Sequence, residues 1–145
     1  MESSKEFVDT FAFAQKWFDL LSEHAPVEQL LPFVADAGLE MAFPERTLRS
    51  HADFREWYEV VGTAFSDQTH VIEGLKVIGN GRRLDVDVVV VWTATQTSDG
   101  TRSASRVDQV WQLEQRPGAL QPVIVGYRVG GFQPLPLPST TGSAR

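Results

Sequence analysis

Proton-transfer chemistry in this chain rests on few side chains. Cysteine is absent, so no thiolate is available, and histidine occurs three times, at His24, His51 and His70. Imidazole titrates near neutral pH, which makes histidine the natural acid or base. His70 sits in a run that alternates with period two, His70-Val71-Ile72-Glu73, and is the leading candidate. The alternative is a core histidine bonded to a backbone carbonyl. Asp108 is the second candidate, because a carboxyl group between Val107 and Val110 in a strand is costly to bury unless it is paired or neutral. Its alternative is a structural partnership with Arg106 or Arg128. His51-Ala52-Asp53, with His70 downstream, carries the letters of a two-histidine, one-carboxylate metal site. Its position at a helix start, where Asp53 already serves the cap, argues against metal ligation. No phosphate-cradling loop surrounds Gly79-Asn80-Gly81 or Gly130-Gly131, and no cofactor is expected.

The elements that must position these groups follow from the periodicity. With 145 residues and 42% hydrophobic content the chain suits one domain, expected over residues 1–132, with a proline-rich tail over 133–145. A formal net charge of -6 disfavours nucleic acid as a partner. No apolar stretch is long enough to span a bilayer and no leader is evident, so a cytoplasmic location is expected. Phe7, Phe11, Ala14, Trp17, Phe18 and Leu21 fall on one face of a first helix. Pro26 suits the first turn of a second helix carrying Val27, Leu30, Leu31 and Val34. Leu39–Phe43 reads as a short strand closed by Pro44, with a brief return along Thr47–Arg49. Ser50, three residues ahead of Asp53, predicts the cap of a third helix that buries Phe54, Trp57, Tyr58, Val61 and Phe65.

Four long strands come next. The first holds His70, with Gly74 as a bulge, and turns at Gly79-Asn80-Gly81. The second is nearly unbroken valine, with Leu84, Val86, Val88, Val90 and Trp92 on one face, and with Asp85 and Asp87 solvated on the other. The third runs from about Arg102 to Leu113, and the last from Val123 to Val129, ending at Gly130-Gly131. This order makes the fold α+β, a cone-shaped barrel in which three N-terminal helices cover a strongly curved, mostly antiparallel sheet.

Phe33-Val34-Ala35-Asp36-Ala37 before the first strand, Phe54-Arg55-Glu56-Trp57-Tyr58 on the third helix and Phe65-Ser66-Asp67-Gln68-Thr69-His70 entering the long strands carry a family signature. Together with the element order they make residues 7–132 resemble the nuclear transport factor 2-like superfamily. That superfamily includes ketosteroid isomerase, SnoaL-like polyketide cyclases, scytalone dehydratase, limonene epoxide hydrolase and dioxygenase β subunits. Carried across without gaps through the first helices, the isomerase pattern puts Trp17, which can donate only an indole N–H, at its oxyanion-donating tyrosine and Met41, whose thioether cannot take a proton, at its catalytic base. Asp108 matches the isomerase's second aspartate, which stays protonated in an apolar site and donates a hydrogen bond, and Tyr58 matches a tyrosine of its network. Val90, Trp92 and Val129 replace the charged triad of the epoxide hydrolase.

The resemblance also sets the strand phase, and with it an apolar, aromatic cone. His70, Asp108 and Tyr58 would be catalytic, with Trp17, Met41, Phe43, Val90, Trp92 and Tyr127 lining the pocket. The implied function is binding of a small hydrophobic molecule, extending to a cofactor-free isomerase, cyclase or dehydratase acting on a cyclic carbonyl compound. The alternative is a non-catalytic binding or assembly module of the dioxygenase β-subunit type, or a cone filled by its own side chains. In this phase Val89, Val91, Val107, Trp111, Leu113 and Ile124 lie on the outer sheet face, an apolar patch that predicts a homodimer.

Overall fold

The computed structural model describes residues 2–79, 82–119 and 121–137, with side chains from Asp9 onward. The Phe7 side chain, the Asn80-Gly81 turn and the tail from Pro138 therefore lie outside the described residues. Helix α1 spans Glu2–Glu23. Its buried stripe runs through Thr10, Phe13, Ala14, Trp17, Phe18, Leu20 and Leu21, while Phe11, expected on that face, is 36% exposed. α1 lies across the first long strand, with the Phe18 ring stacked on His70.

The continuous second helix expected after Pro26 does not form. Two 3₁₀ turns replace it, Val27–Gln29 and Leu31–Phe33. Pro32 accounts for the difference, since it has no N–H to donate and disfavours α geometry at the residue before it. Leu30, Phe33 and Val34 are nonetheless buried, so the segment keeps its packing role without the α-helix.

Short strands β1 (Glu40–Ala42) and β2 (Thr47–Leu48) then pair antiparallel. Helix α2 covers His51–Ala64, and the Ser50 hydroxyl accepts from the Asp53 backbone N–H as its cap. The Asp53 carboxylate in turn accepts from the Arg49 N–H at 2.9 Å. The His51 ring meets the Val34 carbonyl at 2.8 Å through Nε2, which ties α2 to the turn segment.

Strand β3 runs Phe65–Ile78, β4 Arg83–Gln96, β5 Arg102–Glu114 and β6 Val123–Leu135. The six strands form one sheet in the order β2-β1-β6-β5-β4-β3. Every neighbouring pair is antiparallel except β1 with β6. β6 does not stop at Gly130-Gly131 as expected. The two glycines sit in a register shift, where Val129 pairs with Gln109 and Phe132 with Val107, and the strand continues. Gly130 packs there so closely that an added Cβ would meet the Asp108 carbonyl oxygen at 3.3 Å. Further shifts lie between Ser66 and Thr69 and between Ile72 and Gly74, the second where the bulge was predicted. Each raises local twist, and together they curl the sheet over α1 and α2.

The phase of β4 is the predicted one: Val86, Val88 and Val90 are buried, while Asp85 and Asp87 are exposed. The phase of β5 is the opposite of the expected one. Val107, Gln109, Trp111 and Leu113 face the interior, and Asp108 and Val110 face out. Side chains alternate faces with period two, so a one-residue error in phase exchanges the whole set. The physical reason is burial: Val107, Trp111 and Leu113 remove far more apolar surface from water than Val110 alone, and the inward phase spares Asp108 its desolvation. The outer apolar patch therefore loses Val107, Trp111, Leu113 and Ile124, all of which are core. The homodimer expectation loses its stated ground with them.

Candidate functional site

The concave side of the sheet, α1 and α2 enclose a cavity of about 250 Å³. α1 contributes Phe18, Leu21 and, just past its end, His24; α2 contributes Trp57, Tyr58 and Val61; the loop after β1 contributes Phe43, Pro44 and the exposed Glu45. The long strands add Gln68, His70, Val90, Trp92, Val107, Gln109, Tyr127, Val129 and Phe132. No lysine or arginine is among these lining residues. The wall is mostly apolar and aromatic with a few polar atoms, a composition that suits small-molecule sites.

His70 is the group in this wall best suited to move a proton. Its strand phase turns it inward, the Phe18 ring stacks on it at 5.5 Å, and its Nδ1 lies 3.0 Å from the Ser22 hydroxyl. Ser22 is one helical turn beyond Phe18, so the two reach the same imidazole from the same face of α1. Burial holds the His70 pKa down, at about 4, so the ring is neutral at pH 7. With the proton on Nδ1 donating to Ser22, Nε2 presents a lone pair as a base. With the Ser22 hydroxyl donating instead, Nε2–H becomes a donor. Among the described residues, the Ser22 hydroxyl is the hydrogen-bond partner of its ring and no carboxylate pairs with it.

The other polar groups of the wall are mostly engaged by partners within the protein. The Tyr58 hydroxyl donates to the Ala25 carbonyl at 2.5 Å, and desolvation raises its pKa to about 12. The His24 ring stacks on Tyr58 at 4.5 Å, with its backbone in the left-handed region at φ 51°. Gly62 permits that placement, since a Cβ there would overlap the His24 ring. Trp92 Nε1 donates to Gln68 Oε1 at 2.9 Å, and Trp111 Nε1 to Gln109 Oε1 at 2.9 Å. Trp17 Nε1 reaches the Tyr127 hydroxyl at 3.4 Å. Burial pushes the Tyr127 pKa strongly up, against hydrogen bonds from Trp17, Gln109 and Trp111 that pull it down.

The predicted residues thus divide. His70, Tyr58, Phe43, Val90, Trp92 and Tyr127 come together on the cavity wall. Trp17 and Met41 do not: both are fully buried in the core behind the wall, Trp17 among Phe33, Phe54 and Tyr127 and Met41 between Leu48 and Tyr127 in the sheet. Asp108 is exposed on the outer face opposite Val89, away from the cavity. Ser22, Gln68, Gln109 and the end of α1 were not anticipated. Gln109 was within reach of sequence reasoning, as the polar member of the Val107-Gln109-Trp111-Leu113 phase, whereas the Ser22–His70 pair joins positions 48 apart and leaves no local trace.

No sequence family model matches the chain, and no curated protein matches it in sequence. Its backbone is nevertheless similar to several solved structures. A hexachlorocyclohexane dehydrochlorinase from Novosphingobium barchaimii superposes with a TM-score of 0.78 at 11% identity, over 94% of this chain and 94% of that one. A provisionally named scytalone dehydratase from Novosphingobium aromaticivorans gives 0.79 at 13% identity, over 94% and 92%. A nuclear transport factor 2-like superfamily protein from Salmonella enterica serovar Typhimurium gives 0.77 at 14% identity, over 94% and 94%. Near-complete superposition at such low identity, on the same helix and strand order, makes the fold of this chain that of the nuclear transport factor 2-like superfamily.

Proposed function

We propose that this protein binds a small, neutral, largely apolar cyclic molecule in the cone, and that His70 acts on it as a cofactor-free general base. The observation that carries the reading is a neutral imidazole held by Ser22 in the wall of an apolar cavity. A base must be unprotonated to act, and burial supplies that state at physiological pH. Nε2 would take a proton from a carbon of the ligand while the positive charge that develops is shared through Nδ1–H to the Ser22 oxygen. The electrons of the broken C–H bond then form a double bond, and a leaving group departs from the adjacent carbon. Chloride leaves as the anion, whereas hydroxyl leaves as water after the imidazolium returns its proton. If the proton returns to a different carbon instead, the outcome is isomerisation.

The names of two structural neighbours, a dehydrochlorinase and a provisionally named dehydratase, belong to the same class of elimination. A serine cannot stabilise an imidazolium as a carboxylate would, so a substrate with an already acidic C–H is favoured. The same feature supports a second reading, a non-catalytic binding protein whose cavity holds its ligand unchanged. Incubation with polychlorinated cyclohexanes and cyclic β-hydroxy ketones, without added cofactor, separates the two. The enzyme reading expects release of chloride or water that His70→Ala slows by roughly 10²-fold or more. Binding without turnover for every member of the panel favours the second reading.

A further inference from the structure

One indole N–H near the cavity is unspent. Tyr58, Trp92, Trp17 and Trp111 each direct their donor to an acceptor within the protein. Trp57 does not: its Nε1 is buried and, among the described residues, has no hydrogen-bond partner. An indole nitrogen can only donate, and a buried donor left unpaired is costly. Trp57 belongs to the cavity wall, one residue before Tyr58 on α2, and its ring stacks on Phe43 at 4.4 Å with 18° between planes. Both rings are partly exposed while Nε1 itself is not, so a ligand would meet this N–H only with a shift of the Phe43–Trp57 pair.

We infer that Trp57 is a specificity-determining residue that donates its indole N–H to an oxygen acceptor on the cavity's ligand. The inference rests on the ligand-binding reading above and narrows its ligand class. The ligand is apolar over most of its surface and carries a neutral oxygen, such as a carbonyl, at the end that reaches Phe43 and Trp57. A carboxylate or phosphate fits poorly, because among the described residues no lysine or arginine lines the cavity and the exposed Glu45 stands at its edge. Trp57 would also stabilise negative charge developing on that oxygen when His70 removes a neighbouring proton.

The test uses two ring systems that differ in one group: 1-tetralone, which has a carbonyl, and tetralin, which lacks it. Both are titrated into isotope-labelled full-length protein, with the indole N–H and histidine signals followed by NMR and the Trp57 signal assigned from its through-space contacts to the stacked Phe43 ring. The expected result is a downfield shift of the Trp57 indole proton with 1-tetralone but not tetralin, and about fivefold tighter binding of the ketone. In Trp57→Phe that preference disappears, and ketone and hydrocarbon bind alike. Binding of both compounds with shifts at His70 and Trp92, an unmoved Trp57 signal and no preference overturns the Trp57 assignment and leaves the cavity reading intact. If neither compound moves His70 or Trp92, the cavity reading fails and the assignment falls with it. The shift is read in the unsubstituted protein, so the result stands even if Trp57→Phe folds poorly.

Discussion

Acid should destabilise this protein through His70 in a measurable way. Burial depresses the His70 pKa from 6.5 to about 4 in the folded state, so between these values the unfolded chain binds a proton that the folded chain refuses. Stability must therefore fall as the pH drops through that window and level off, for this group, below about pH 4. Each pH unit inside the window costs about 1.4 kcal/mol, and the loss between pH 7 and pH 5 comes to about 2 kcal/mol. Other titrating groups contribute as well, so the comparison needs His70→Gln, which stays neutral throughout and keeps a polar group facing Ser22. Urea unfolding followed by tryptophan fluorescence at pH 7 and pH 5 gives the four stabilities, with equal m-values as the control for two-state behaviour. Wild type should lose about 2 kcal/mol more than His70→Gln over this interval. Parallel losses in the two proteins would refute a buried neutral His70.

Three other substitutions test the placement of neighbouring groups. Asp108→Asn should change stability by no more than about 0.5 kcal/mol in the same urea assay, because Asp108 is exposed on the outer face of the sheet. Trp111→Ala removes a fully buried ring stacked on Tyr127 and a bond to Gln109, and should cost about 3–5 kcal/mol by chemical denaturation. Gly62→Ala should displace the His24 ring from Tyr58, losing about 0.5–1.5 kcal/mol of stacking while the helix gains about 0.5–1 kcal/mol. Stability then stays nearly constant, while the ring-current shifts of His24 collapse in the NMR spectrum.

The architecture was legible where local chemistry is unambiguous. Ser50 ahead of Asp53 marked a helix start, and Asp85 and Asp87 against Val86 and Val88 set the phase of the valine strand. Legibility failed where a local pattern competes with a long-range one. Leu31-Pro32 breaks a helical stripe whose residues are buried all the same. On β5, matching Asp108 to the isomerase's second aspartate took the wrong one of two phases, and with side chains alternating faces that one choice misplaced the whole strand. The inward run Val107, Trp111, Leu113 was the better guide, since burial of large side chains outweighs a matched aspartate. Of the site, His70 and Tyr58 were visible as polar residues on apolar faces. Ser22 and the spent or unspent state of each indole donor were not, since these depend on contacts between distant parts of the chain.

Every elimination or isomerisation proposed for this cavity begins with His70 taking a proton from carbon, and that step can be measured without knowing the natural substrate. The protein is incubated in D₂O with 1-tetralone, and deuterium entering the carbon next to the carbonyl is followed by mass spectrometry. Exchange faster than in buffer at pH 7, lost in His70→Ala, retained in Asp108→Asn and falling as the pH approaches about 4, is the predicted result. Exchange at the buffer rate despite demonstrated binding, or equal rates in wild type and His70→Ala, would contradict a catalytic His70 and leave the cone as a binding site alone.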